Sequence, residues 1–100
     1  MAKENVFERE IHTKEELQAV INEETGRDDV IIEEYALVED PRVHPATNEK
    51  FSLWGATAKL TVAGVEWDAV KEPVYETVAR ASLAIVAYIE TICCKTKINK

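Results

Sequence analysis

Scarcity is the first property of this chain. It has two cysteines, three glycines, three prolines and one methionine in 100 residues. Two cysteines exclude a disulfide scaffold, and so little glycine and proline excludes collagen-like or low-complexity architecture. Ser52 and Ser82 are the only serines, and neither lies in a nucleophile-elbow pattern. No glycine-rich phosphate loop occurs. No apolar run reaches the roughly 18 residues needed to span a bilayer, and the opening MAKENVFERE lacks the apolar stretch of a signal peptide. A cytoplasmic protein without membrane attachment is expected.

Basic residues are also scarce, and unevenly so. Residues 1–50 carry fourteen acids against six bases, a net −8, whereas residues 51–100 carry five acids against six bases, a net +1. The formal charge of −7 thus arises entirely in the first half. A surface of that sign repels phosphates, because nucleic-acid binding depends on Lys and Arg displacing counterions. At this length one compact domain over residues 1–100 is expected, with 1–5 and 96–100 as frayed tails.

Periodicity then orders the chain. Val6–His12 alternates imperfectly and reads as a short strand. Thr13 and Glu16 have the spacing of a capping box, Leu17, Val20 and Ile21 form an apolar stripe, and Gly26 suits a left-handed stop, which predicts a helix over 14–25. Residues 29–39 read as a strand with a bulge at Glu33–Glu34 or an edge position, ended by Asp40–Pro41. Residues 40–50 read as a mobile loop. Ala56, Ala58, Leu60 and Val62 share one strand face, and Val65, Trp67 and Ala69 another. With Ala63–Gly64 as a two-residue turn, Val62 opposes Val65, Leu60 opposes Trp67, and Lys59 opposes Asp68, so both faces sort in one register. Pro73 is placed in the first turn of a second helix, running to about Lys95. Its core face is expected to hold Val74, Val78, Ala81, Ile85, Tyr88, Ile89 and Ile92. The fold class is α+β, in the order β-α-β-β-β-α, with an antiparallel-rich sheet of about four strands and both helices packed on one face.

Few residues offer chemistry. Cys93 falls at the core margin of the second helix and Cys94 points outward; two thiolates fall short of the four ligands of a closed zinc site, and His12 and His44 would make up the number only by a coincidence that nothing in the sequence supports. The adjacent carboxylates Glu15–Glu16, Glu23–Glu24, Asp28–Asp29 and Glu33–Glu34 point in different directions in a regular helix or strand, and none matches a calcium loop. Trp54 and Trp67 fall in register with the core set and lack the basic company of a base-stacking platform. No catalytic, cofactor-binding or metal-ligating residue is expected. Two features point to partners instead. Glu23, Glu24, Asp28, Asp29, Glu33 and Glu34 crowd one helix-to-strand junction, and Leu83, Ala84 and Ala87 form a small apolar strip on the polar side of the second helix.

The run VEWDAVKEPVYETVARASLAIVAYIE, with the element order and length, resembles ribosome hibernation-promoting factors, in which a last strand leads through an acidic loop into a Tyr-containing, Ala-rich helix. Residues 13–92 also resemble double-stranded-RNA-binding domains in their helix, three strands, helix order. Both families grip RNA phosphates with clustered Lys and Arg. Here the corresponding helix opens Lys71-Glu72-Pro73-Val74-Tyr75-Glu76 with no basic cluster, so the resemblance carries no functional residue across. In class, the chain is similar to small acidic phage-encoded inhibitors, anti-CRISPR proteins among them, some of which present carboxylates where nucleic-acid phosphates would sit.

The expected function is a non-enzymatic protein-binding module, an inhibitor or adaptor that docks on a basic, nucleic-acid-binding partner protein through the acidic residues 23–34, aided by the 40–50 loop or by Leu83 and Ala87. A divergent ribosome- or RNA-associated domain is one alternative. A homodimeric structural or assembly subunit is the other.

Overall fold

The computed structural model describes residues 9–95, in the order α1 (Lys14–Thr25), β1 (Val30–Val43), β2 (Lys50–Val62), β3 (Val65–Tyr75) and α2 (Val78–Lys95). The class is α+β. Among the described residues the strands form a three-stranded antiparallel sheet in the order β1-β2-β3, where about four strands were expected. Of the strand read over 6–12, residues 9–12 are irregular and 6–8 lie outside the described residues, as do the expected tails. Ile11 is nonetheless buried: its amide donates to Ser82 Oγ at 3.0 Å and its carbonyl accepts from the Tyr35 hydroxyl at 2.6 Å. Side chains, not a ladder, hold this segment.

Local signals set α1. The Thr13 hydroxyl accepts from the Glu16 amide at 3.1 Å, Glu16 Oε1 accepts from the Thr13 amide at 3.2 Å, and Gly26 closes the helix at φ 66°. The hairpin forms in the expected register, Val62 opposite Val65, Leu60 opposite Trp67 and Lys59 opposite Asp68. Both turn residues have positive φ, Ala63 at 52° and Gly64 at 80°, as a twist-matched two-residue turn requires. The bulge expected at Glu33–Glu34 lies between Ile32 and Glu34.

Two prolines correct the sequence reading. Pro41 does not end β1, which continues to Val43 against Lys50; residues 44–49 alone make the connection, closed by the His44 amide on the Glu49 carbonyl at 2.8 Å. The expected 40–50 loop is therefore shorter, with residues 40–43 and 50 paired as part of a hairpin arm. Proline is tolerated because β1 is an edge strand, where a missing N–H on the outer side costs no ladder bond. Pro73 does not open α2 either. It lies in β3, within a bulge opposite Gly55, where a Cβ would run into the backbone of Lys71, Glu72 and Pro73. Helix α2 starts after Thr77, whose Oγ1 accepts from the Arg80 amide at 3.0 Å. Val74, assigned to the helix core face, is accordingly an exposed strand residue.

One core joins Leu17, Val20 and Ile21 of α1 to Ala56, Ala58, Leu60 and Val62 of β2 and to Ile85, Ile89 and Ile92 of α2. Both helices therefore cover the same sheet face, α1 against β1 and α2 against β2 and β3. Beyond Trp54 the β1–β2 pair goes on without β3, and every residue from Pro41 to Phe51 is exposed. This exposed two-stranded stretch is an arm that projects past the end of β3.

Candidate functional site

The acidic residues singled out from the sequence separate into three settings. Asp29 is committed to structure. Arg27 grips it with a two-pronged pair, Nε to Oδ1 and Nη2 to Oδ2, each 2.8 Å, while Arg27 Nη1 donates to the Cys93 carbonyl at 2.8 Å. The guanidinium thereby ties the α1–β1 junction to the last turn of α2, where a cation also suits the helix dipole. Arg27 holds the Asp29 carboxyl below its ordinary range, and the same hydrogen bonding raises Arg27.

Glu23, Glu24 and Asp28 stand exposed around that junction. Glu23 has Arg9 at 3.9 Å, with both side chains more than half exposed, a distance and exposure that make the pair weak. Glu24 lies across from Glu90 of α2. Burial pushes the Glu90 carboxyl up, and the charge of Glu24 pushes it further. Glu33 and Glu34 are exposed at the β1 bulge, several residues along the strand. The six acids thus follow the α1 and β1 side of the molecule rather than one spot.

The sheet face away from the helices is open. Ile31 and Val70 are each 55% exposed there, and the register lines up Glu34, Lys59 and Asp68 across the three strands. An open hollow of about 620 Å³ spans it, lined by Ala36, Thr57 and Val70 around that charged row, with Lys14 of α1 also contributing. On α2, Leu83 and Ala87 are exposed as expected, Cys93 is buried and Cys94 exposed. Burial raises the Cys93 thiol. Trp67 packs on the core with its indole N–H buried and unpartnered, while Trp54 is half-buried at the root of the arm.

Two arrangements were not anticipated. Gln18, read only as a helix residue, turns its amide onto the edge of β1: Nε2 donates to the Val30 carbonyl and Oε1 accepts from the Ile32 amide, each at 2.8 Å. Arg27, not singled out in the sequence, is the clasp of the junction. Neither carries a sequence signature, since each depends on where β1 and α2 end up relative to α1. Among the described residues no three His, Cys, Asp or Glu gather as they would around a metal ion, and no helix is long and apolar enough to cross a membrane. No protein-family model, curated protein or solved structure matches the chain.

Proposed function

We propose that the protein is a non-enzymatic binding module, an inhibitor or adaptor that docks on a basic surface of a partner protein. One observation carries this reading: along the α1 and β1 side the carboxylates outnumber cations free to neutralise them. Arg27 is bound to Asp29 and the Cys93 carbonyl, and Lys14 reaches the Glu33 carbonyl at 3.4 Å. Glu15, Glu23, Glu24, Asp28, Glu33 and Glu34 are exposed. A field of this kind steers encounter with a basic surface and weakens with salt.

The test begins with capture of partners by the tagged protein from lysate, with and without nuclease. Association with a nuclease-resistant partner is then timed for the protein and for a Glu23→Lys, Glu24→Lys, Asp28→Lys variant. Asp29 is left in place because Arg27 needs it. The expected result is a slower association with a flatter salt dependence, and an unchanged rate rejects the reading. Ribosomal proteins that vanish with nuclease would favour the RNA-associated alternative instead. A homodimer through α2 is the second reading, favoured by the exposure of Leu83 and Ala87; it requires Leu83→Glu to turn a dimer into a monomer.

A further inference from the structure

We infer that the outer edge of β1 from Tyr35 to Val43, unpaired among the described residues, is a strand-addition site for an extended basic segment of the partner protein. The inference rests on the proposed acidic-module reading for the sign of the partner's charge.

The two ends of β1 treat their outer edge differently. Near its start, Gln18 occupies the Val30 carbonyl and the Ile32 amide, and Lys14 Nζ reaches the Glu33 carbonyl. These groups stand where a neighbouring strand would bond, so this half of the edge is closed. The same bonds show that even-numbered residues face outward before the bulge. After it the order reverses: the His44 amide bonds the Glu49 carbonyl across the hairpin, so even-numbered residues now face β2. Tyr35, Leu37, Glu39 and Val43 therefore turn their backbone groups outward, and Pro41 shares that outward set. Among the described residues, nothing bonds the outward groups of Leu37 and Glu39. Unpaired N–H and C=O groups in a row are a template for another strand. On the opposite edge, β3 offers only the shorter run of Glu66, Asp68 and Val70 before the bulge at Pro73.

Charge selects the occupant. Glu33, Glu34, Glu39 and Asp40 lie along this stretch of β1, which carries one base of its own, Arg42, already bound to Asp40 at 2.9 Å; Lys59 stands opposite Glu34 and Lys50 opposite Val43. The β3 edge adds Glu66, Asp68 and Glu72 beside Lys71. Pairing with a second copy along either edge would bring carboxylates together, and like charges across strands are destabilising; acids on an edge keep identical chains apart. A strand with Lys or Arg at alternate positions meets no such opposition. Part of its side chains would lie beside Glu34 and Asp40 on the open face, the rest beside Glu39.

The experiment titrates the full-length, nitrogen-15-labelled protein with the synthetic peptide acetyl-(Val-Lys)5-amide and follows amide hydrogen exchange residue by residue. At saturation the Leu37 and Glu39 amides should slow by about tenfold or more. The peptide with glutamate in place of lysine should give no protection, nor should the lysine peptide N-methylated at every residue, which keeps its charge but has no ladder donors. Glu39→Pro, which removes one outward donor beside an outward position that already tolerates Pro41, should abolish protection of Leu37, whereas Glu39→Gln should retain it. Unchanged exchange at Leu37 and Glu39, protection confined to Glu66, Asp68 and Val70, or equal protection by the N-methylated peptide overturns the inference. So does a concentration-dependent dimer that Glu39→Pro dissolves, since the occupant would then be a second copy. The charge variant at Glu23, Glu24 and Asp28 leaves this edge untouched. An unchanged association rate in that variant, with protection intact here, would therefore sink the docking reading alone, and slowed association in that variant without protection of Leu37 and Glu39 would sink the edge alone.

Discussion

The two halves of the β1–β2 pair are built from the same ladder and serve opposite ends. In the first half, Val30, Ile32, Ala58, Leu60 and Val62 are buried under α1 and α2, and Gln18 seals the outer edge. In the second, from Pro41 to Phe51, both faces and the outer edge meet solvent. Backbone pairing alone does not make a strand stable, since a lone two-stranded hairpin in water is marginal. Burial separates the halves. The covered half holds the fold, and the uncovered half is left accessible, where local stability is lowest and binding segments are drawn from.

The contrast can be broken or sharpened by mutation. Leu60→Ala empties a 1% exposed core position and should cost about 3–4 kcal/mol, seen as a lower denaturation midpoint. Gly55→Ala, at the root of the arm, should cost about 3 kcal/mol, because the new methyl meets β3 backbone that cannot move aside cheaply. Thermal melting should fall by roughly 10–20 °C. Arg27→Leu should cost about 2–3 kcal/mol by releasing Asp29 and the Cys93 carbonyl together; a smaller loss would show that the junction is held mainly by apolar packing.

Acidity should distinguish the covered side as well. Asp29 and Glu16 have folded-state pKa values below their ordinary ones, Asp29 through Arg27 and Glu16 through the backbone amides of His12 and Thr13. Their contribution is present above the unfolded values and is lost as pH falls through the folded ones. Glu90 has the opposite sign: burial and Glu24 raise it, so its ionised form opposes folding at neutral pH and the penalty lifts as pH falls through the raised value. Glu90→Gln should therefore raise the melting temperature by a few degrees at pH 7, with the gain gone near pH 4. At the far end of the scale, Phe51→Ala on the arm should change stability by about 0.5 kcal/mol or less. A larger change would mean that the arm is part of the core.

How much of this could be read beforehand depends on how far apart the interacting residues lie. The α1 helix was legible because Thr13, Glu16 and Gly26 act within a few residues of one another. The hairpin was legible because a single register sorts Leu60 with Trp67 and Lys59 with Asp68. The bulge announced itself where Glu33–Glu34 breaks the alternation. Pro41 and Pro73 were misread for one shared reason: whether a missing N–H matters depends on what lies beside that backbone. Pro41 turns to the outer side of an edge strand, and Pro73 sits in a bulge made possible by Gly55 on the neighbouring strand. For the candidate site, the exposure of Glu23, Glu24, Asp28, Glu33 and Glu34 followed from their polarity. The capture of Asp29 by Arg27 did not, since the position of Arg27 is completed by the end of α2, 66 residues away in the chain.

By itself, then, the amino-acid order determined the α+β class, the α1 boundaries, the hairpin register and the sign of the surface, because capping, alternation and charge are short-range or additive. Only the tertiary structure decided which prolines break an element, which acid is neutralised and which half of β1 stays open. Those outcomes turn on the neighbour that a backbone or side-chain group meets after the chain has packed.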